Sequence, residues 1–357
     1  MSVSGFHTLR VTALERTTRD ALAVTLEPPA GVDFSFTQGQ YLTFRREFDG
    51  VELRRSYSLC APPHGGELKV GIKRVAGGTF STFVNEELAV GDMLEAMAPM
   101  GRFWPEKVEV TGEHYLGFAA GSGITPLLSI LRTVLETHET ARFTLVYANV
   151  ASNTIMFREP LDDLKNRFMD RFALVHMLEN DAQDVELFTG RLTAQKCDAL
   201  FAHWVKPQHV AKAFICGPQP MMETVADRLA HHGMAKDDIR FELFASGQPG
   251  RAARPAKSAQ AAALAKPAEL TVTLDGTTRT LTMDRDQTVL DAALENAVEA
   301  PYACKAGVCS TCRAKVTQGE FEMLTNHALE DYEIARGYVL TCQCLPLGDK
   351  LVVDYDG

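Results

Sequence analysis

Residues 302–312 read YACKAGVCSTC, which sets Cys304, Cys309 and Cys312 inside nine residues. The spacing is C-x4-C-x2-C, and the next cysteine, Cys342, follows after 29 intervening residues. Three thiols converge in so short a loop only if their neighbours are small, and Ala303, Ala306, Gly307 and Ser310 are. Small residues also let backbone N–H groups approach a sulfur-rich centre and tune its potential. A distant fourth cysteine completes the plant-type spacing of a [2Fe-2S] centre, in which two irons and two sulfides take four thiolates. A structural zinc ion also takes four cysteines and stays the alternative, although zinc sites of that kind usually pair two C-x2-C motifs and this chain has one. Cys344 stands close behind Cys342 and is expected to lie in a strand, facing the side opposite the sulfur set.

Outward from the loop, residues 268–357 form one unit. ELTVTLDGTTRTLTM (269–283) reads as a hairpin around an Asp-Gly turn, DAALENAV (291–298) as a helix, and KLVVDY (350–355) as a closing strand. Before it, residues 246–267 (SGQPGRAARPAKSAQAAALAKP) have little to bury and read as a linker. Residues 109–245 alternate strand and helix patterns: HYLGFAA (114–120), RFTLVYAN (142–149) and KAFICG (212–217) are apolar strands, with TPLLSILRTVLE and MMETVADRLA as helices. That order predicts an α/β unit with a parallel sheet. Residues 1–108 instead carry short alternating runs, ALAVTLE, QYLTFR, ELKVGIKR and DMLEAM, broken by Gly, Pro and Asp, the pattern of an antiparallel β-barrel or sandwich.

Composition agrees with a multidomain globular chain: 357 residues, 46% hydrophobic and 23% charged. No run approaches the roughly 20 apolar residues of a spanning helix, and the N-terminal residues lack a secretory h-region, so a membrane is not expected as partner. Eight clustered cysteines point to metal or redox chemistry in a reducing, cytoplasmic setting rather than to a disulfide framework. A net charge of -10 argues against nucleic acid. Residues 268–357 hold 15 acidic and 7 basic residues, which points to a basic partner surface.

Further motifs carry chemistry. GSGITP (Gly121–Pro126) lies between a strand and a helix, where glycines and unpaired helix N–H groups admit a diphosphate. It is not G-x-G-x-x-G, since Pro126 takes the third glycine's place. CGP (Cys216–Pro218) ends a second strand of the same unit, and both motifs belong at the carboxyl ends of parallel strands. RRSYSL (Arg54–Leu59) puts Arg55, Tyr57 and Leu59 on one face of a strand, a cation and a ring for an aromatic anionic ligand; GGTFS (77–81) adds a phosphate cradle at a helix start. Each of these also has an ordinary structural reading, as a tight turn or a solvated edge strand. Cys60 and Cys197 read as packed small hydrophobes.

In order along the chain, Arg55-x-Tyr57-Ser58, Gly77-Gly78-x-x-Ser81, the GSGITP loop, Cys216-Gly217-Pro218 and the cysteine set resemble the ferredoxin-NADP reductase superfamily fused to a C-terminal plant-type ferredoxin. The resemblance covers essentially the whole chain. The runs FAAGSGITP, TIMFREPLDDLK, AFICGPQPMM and PYACKAGVCSTCRAKV are most similar to the reductase subunits of ring-1,2-phenylacetyl-CoA epoxidases, whose domain order the ketosteroid 9α-hydroxylase reductases share. The resemblance implies an FAD-binding β-barrel (1–108), an NAD(P)-binding α/β domain (109–245) and a β-grasp ferredoxin domain (268–357). It implies that Arg55, Tyr57 and Ser58 hold the flavin and that Gly78 and Ser81 cradle its diphosphate. Gly121, Gly123 and Thr125 would seat NADPH, with NADH as the alternative; Cys216, Glu242 and Phe244 would border the stacked rings as the catalytic set; Cys304, Cys309, Cys312 and Cys342 would ligate the cluster.

One departure bears on the nucleotide. Relatives commonly read Y-x-N-R where this chain has Tyr147-Ala148-Asn149-Val150, so the cation for a 2′-phosphate is missing there, with Ser152, Arg158 and Arg191 as candidates to replace it. The implied activity is electron transfer from NAD(P)H through FAD and the [2Fe-2S] centre to the oxygenase component of a multicomponent complex, docked through the acidic ferredoxin domain. Competing readings are a stand-alone flavin diaphorase and a zinc-stabilised interaction module.

Overall fold

The computed structural model describes residues 5–105, 113–244, 267–329 and 331–357. The segment read as a linker, 246–267, lies outside the described residues except for Pro267, and so does the expected boundary at 108 and 109. The chain divides into two compact units, one comprising Met1–Phe6, Thr43–Ser56 and Ala245–Gly357, the other His7–Leu42 and Tyr57–Phe244.

Six strands, β1 (Phe6–Thr18), β2 (Ala21–Glu27), β3 (Tyr41–Phe48), β4 (Val51–Ser58), β5 (Leu68–Lys73) and β6 (Met93–Met97), make one antiparallel sheet in the order β4-β3-β6-β1-β2-β5. Just past β4, Leu59 bridges antiparallel to Val70 of β5. Strand β2 does not alternate cleanly between buried and exposed residues. Ala21 and Ala23 share a core with Ile124, Leu127, Leu128 and Leu131 of helix α2 (Ile124–Thr137), so its outer face is covered as well, and small side chains let the helix lie close. Helix α1 (Thr79–Glu86) starts at GGTFS as expected.

The α/β part holds β7 (His114–Ala120), β8 (Arg142–Asn149), β9 (Phe172–Leu178), β10 (Lys212–Cys216) and β11 (Ile239–Glu242), all parallel, in the order β11-β10-β7-β8-β9. Its further helices are α3 (Arg158–Arg167), α4 (Ala194–His203) and α5 (Gln219–His231). Residues of alternating parity feed two cores. Tyr115, Phe143, Leu145, Tyr147 and Phe214 pack with α2 on one face, while Leu116, Phe118, Val146, Ile215 and Met177 pack with α4 and α5 on the other. Gly117 permits the approach of α2, because a Cβ there would meet Leu127 Cδ2 at 2.8 Å. Strand order reverses direction between β7 and β10, the place where ligands sit in such sheets.

The last part consists of β12 (Ala268–Leu274), β13 (Thr277–Met283), β14 (Arg313–Gln318), β15 (Phe321–Met323), β16 (Tyr338–Leu340), β17 (Cys344–Pro346) and β18 (Lys350–Asp354). Five of these strands make a mixed sheet in the order β13-β12-β18-β14-β16, and β15 pairs with β17. β12 and β18 run parallel and the other pairs antiparallel, and a helix over Val289–Glu295 packs on this sheet, a β-grasp arrangement. Asp275 and Gly276 both have positive φ, 50° and 72°, as the tight hairpin requires. The helix begins two residues earlier than DAALENAV suggests, because the Thr288 hydroxyl accepts from Asp291 N at 3.1 Å and caps it. It ends earlier too, where Ala297 turns left-handed at φ 55°. No described helix of the chain is long and apolar enough to cross a membrane.

Candidate functional site

The ladder between β14 and β16 explains how a cysteine 30 positions beyond Cys312 reaches the loop. Arg313 pairs with Leu340, so the chain just outside that rung carries Cys312 on one strand and Thr341 on the other. Thr341 donates twice to the Cys312 carbonyl, from its amide at 3.1 Å and its hydroxyl at 2.8 Å, and Cys342 follows in a single 3-10 turn, Thr341–Gln343. Strand alternation therefore does not separate Cys342 from Cys344, since two residues spaced by one would share a face of a strand. The turn separates them: Cys342 lies within it, and Cys344, which opens β17, is fully buried in the core of the mixed sheet. Burial pushes the Cys344 thiol well up, so it stays a neutral packing residue.

Within the loop, Lys305, Gly307 and Ser310 all have positive φ (52°, 75° and 50°). These reversals swing amides toward sulfur: Ala306 N lies 3.3 Å from Cys304 Sγ and Cys304 N lies 3.5 Å from Cys309 Sγ. Gly307 has no room for a side chain, since a Cβ would stand 2.9 Å from Thr325 O. Gln343 Nε2 donates to Lys305 O at 3.2 Å and lies 3.6 Å from Cys342 Sγ, tying the turn to the loop. Cys304, Cys312 and Cys342 are buried, and Cys309 is partly exposed.

The sulfurs interact two by two. A hydrogen bond from Cys309 pulls the Cys304 thiol down to about 6, and one from Cys312 pulls Cys342 down, while the donors Cys309 and Cys312 are pushed well up. Among the described residues no three ligating side chains converge on a point for one metal ion. Two thiol pairs joined by inward amides suit a two-iron centre with one pair for each iron.

Within the second unit, Gly121, Gly123, Cys216, Glu242 and Ser58 come together at the carboxyl ends of β7, β10 and β11. Gly121–Gly123 forms a 3-10 turn that runs straight into α2. Gly121 has φ 53° with open space where its Cβ would be, and its carbonyl accepts from Tyr147 OH at 2.9 Å. A Cβ on Gly123 would lie 2.1 Å from the carbonyl oxygen of Cys216, so only glycine lets this turn seat on the end of β10. Parallel register places Cys216 beside Glu242. The Ser58 hydroxyl, at the end of β4, donates to Glu242 Oε2 at 2.9 Å. Burial pushes the Glu242 carboxyl up to about 8, the Ser58 hydrogen bond acting in the opposite sense, and burial together with the Glu242 charge pushes the Cys216 thiol well up. Phe244 packs against the same apolar core as Cys216.

Two expected contacts look inward. Thr125 is 1% exposed with its hydroxyl donating to Ser122 O at 3.0 Å, and its methyl lies where a Cβ on Gly71 would come within 2.6 Å. The Ser81 hydroxyl donates to Gly78 O and accepts from Val75 N, both at 3.1 Å, which closes the turn in front of α1. What each offers a phosphate is the N–H groups of the helix start it shapes. The Tyr57 ring lies 5.8 Å from that of Phe80, tilted by 33°. Leu59, expected beside Tyr57, is wholly buried because the chain leaves β4 at Ser58 and pairs with Val70. In the first unit Arg55 Nη1 donates to Arg54 O at 2.7 Å, and the Arg54 guanidinium lies 3.9 Å from the Tyr302 ring centroid.

At the end of β8, Val150 is 51% exposed, and Ser152 N donates to Asp181 Oδ2 at 2.7 Å. Arg191 pairs with Glu179 at 2.9 Å and Arg158 with Asp162 at 3.9 Å. Asn149 Nδ2 is buried without a hydrogen-bond partner among the described residues, at the end of β8, where no motif singles it out. The Ser58–Glu242 bond has no signature in the sequence either, and for strand β9 the apolar run FALVHML (172–178) was the available signal.

Three family models match the chain in succession: an oxidoreductase FAD-binding domain over residues 8–104, an oxidoreductase NAD-binding domain over 118–227 and a 2Fe-2S iron-sulfur cluster binding domain over 272–347. The chain is 40% identical over 354 residues to one of the subunits of the 1,2-phenylacetyl-CoA epoxidase of Escherichia coli (strain K12), covering 98% of each. It is 33% identical over 353 residues to the ferredoxin reductase component of 3-ketosteroid-9-alpha-monooxygenase from Rhodococcus rhodochrous, covering 97% of this chain and 96% of that one. Its fold is similar to that of phthalate dioxygenase reductase, with a TM-score of 0.58 at 23% identity over 98% of both chains.

Proposed function

The chain belongs to the FAD- and NAD-binding oxidoreductases with a C-terminal 2Fe-2S domain, as an NAD(P)H-dependent reductase component of a multicomponent oxygenase, and on that premise we propose that its oxygenase is a di-iron epoxidase of phenylacetyl-CoA. The support is the likeness to the Escherichia coli epoxidase component along the full length of both chains. The 33% likeness to a ketosteroid monooxygenase component keeps a reductase for that class of oxygenase as the second reading.

When bound, the flavin would supply hydride-accepting chemistry and the [2Fe-2S] centre one-electron transfer. The residues of the chain bind and orient. Arg55, Tyr57 and Ser58 hold the flavin, and Gly78 with Ser81 shapes the helix start that takes its diphosphate. Gly121, Gly123 and Thr125 build the turn for the nucleotide, while Cys216, Glu242 and Phe244 border the place where the rings meet. A carboxyl raised to about 8 stays neutral at pH 7, so Glu242 adds no charge to this apolar edge. Cys304, Cys309, Cys312 and Cys342 ligate the cluster. The observation that carries the reading is the convergence of Ser58, Glu242 and Cys216 with the Gly121–Gly123 turn at the switch point of the parallel sheet.

NADPH is the proposed nucleotide, with Arg158 and Arg191 as candidate cations in place of the one missing at Val150; the protein works in the cytoplasm. The acidic ferredoxin domain, with 15 acidic against 7 basic residues in 268–357, docks on a basic face of the oxygenase. The test is an anaerobic visible spectrum before and after stoichiometric NADPH, then NADH. Bleaching of both the flavin bands and the absorbance beyond about 500 nm is expected of a coupled flavin and [2Fe-2S] protein. Flavin bleaching with an oxidised cluster would make the chain a diaphorase. Reduction of the purified epoxidase component that is equally fast at low and high salt would remove the electrostatic docking.

A further inference from the structure

A buried polar chain behind the cluster loop is used by none of the roles above. Tyr355, third from the C-terminal end of the sequence, donates its hydroxyl to Thr341 Oγ1 at 2.9 Å, and that hydroxyl donates in turn to the Cys312 carbonyl at 2.8 Å. The same carbonyl accepts from Thr341 N at 3.1 Å. Thr341 is completely buried. A hydroxyl has one proton to give, and accepting from Tyr355 leaves Thr341 free to point that proton at Cys312 only. Tyr355 is itself set by the fold, since its amide donates to Thr273 O at 2.9 Å and its ring packs on the core shared by Cys312, Cys342 and Cys344. Asp356 next to it accepts from Asp275 N at 2.9 Å and Gly276 N at 2.8 Å, which ties the chain end to the β12–β13 hairpin turn.

We infer that Tyr355 and Thr341 are positioning residues for the cluster: they staple the backbone of Cys312 to the turn that carries Cys342, two of the proposed cluster ligands. The inference rests on the proposed ligand set. Cys312 and Cys342 are 30 positions apart, and the ladder that brings them together ends one residue short, at Arg313 and Leu340. Beyond that last rung, the Thr341 amide and hydroxyl bond the Cys312 carbonyl directly, while Gln343 ties the same turn to Lys305 farther along the loop. Without the hydroxyl the carbonyl keeps one donor and gains freedom to rotate, so the Cys312 sulfur moves relative to its partner.

The experiment compares the full-length holoprotein with Thr341→Val, Thr341→Ser and Tyr355→Phe. Loss of a net hydrogen bond speeds an opening equilibrium by roughly three- to tenfold. The expected result is that T341V and Y355F release iron to a chelator about three- to tenfold faster than wild type, with an altered electron paramagnetic resonance signal of the reduced cluster, while T341S behaves as wild type. Anaerobic flavin reduction by NADPH, read at the flavin bands, is expected to be unchanged in all three. Iron release and resonance signal identical to wild type in both T341V and Y355F would overturn the inference. So would a T341S variant as labile as T341V, which would mean that keeping the hydroxyl does not protect the cluster and that the fit of the side chain, not its hydrogen bond, controls iron release. If no variant and no wild-type protein holds two irons after anaerobic reconstitution, the ligand set itself fails, an outcome distinct from failure of the staple.

Discussion

Replacing Glu242 by glutamine gives a stability change whose sign and pH window follow from the site. The carboxyl is pushed from an ordinary 4.5 up to about 8, because burial at the end of β11 disfavours the charge more than the Ser58 hydrogen bond favours it. Below pH 4.5 the carboxyl is protonated both folded and unfolded, and it contributes no difference. Between 4.5 and 8 the unfolded chain ionises it and the folded chain does not, so the folded state loses ground as pH rises. Above 8 the loss levels off, at no more than about 5 kcal/mol and at less than that because the Glu242 side chain is half-buried and water screens part of the effect. Glutamine has no such term, and its amide oxygen can still accept from Ser58. E242Q is therefore expected to match wild type near pH 4 and to exceed it by several kcal/mol at pH 9, with the gain accruing between those values. Trp104 and Trp204, the two tryptophans of the chain, both lie in the unit that holds Glu242, so urea unfolding followed by tryptophan fluorescence across this pH range reads the difference directly. A stability difference that stays flat from pH 5 to pH 9 would refute the reasoning, since it would mean that Glu242 titrates alike in the folded and unfolded chains.

Gly123→Ala sets a Cβ 2.1 Å from the Cys216 carbonyl oxygen, so the turn must leave its seat; flavin reduction by NADPH is expected to slow more than tenfold while reduction of the same flavin by dithionite keeps its wild-type rate, both read by stopped-flow absorbance. Cys342→Ser is expected to lose the long-wavelength absorbance and iron content that Cys344→Ser retains, because Cys342 sits in the 3-10 turn that Gln343 ties to the cysteine loop while Cys344 lies beyond it at the start of β17; equal iron in the two variants would reverse that assignment. Stripping the iron with a chelator under reducing conditions is expected to lower the melting transition of the unit containing the cysteine loop and to leave that of the other unit in place, as two-transition calorimetry would resolve; a common shift of both would contradict independent cores.

The cysteine spacing, the strand-turn-helix at GSGITP and the strand boundaries of β2, β7 and β8 were all legible in sequence, because each is a local matter of residue type and period. The helix of the β-grasp part was legible as an element but not at its ends, which depend on the Thr288 cap and on a left-handed Ala297. Strand β9 escaped because its seven residues carry no turn signal of their own beyond an apolar run, and its place at the sheet edge is a property of pairing with β8. The inward-facing hydroxyls of Thr125 and Ser81 escaped for a related reason: a motif names a side chain, while its direction is set by the backbone it can reach.

What the sequence by itself determined is the inventory and its order: three family domains, four cysteines at a cluster spacing, glycines where a phosphate must approach, and an acidic last quarter. These follow from covalent spacing and composition, which need no partner in space. What only the tertiary structure decided is which groups meet. Ser58 and Glu242 are 184 residues apart and share a hydrogen bond; Gly123 and Cys216 touch because β7 and β10 are neighbours; Cys312 and Cys342 are held by a threonine and a tyrosine that no motif names. The physical reason is that such contacts are fixed by sheet order and register, and these are settled by burying two faces of a sheet at once rather than by any segment's own preference.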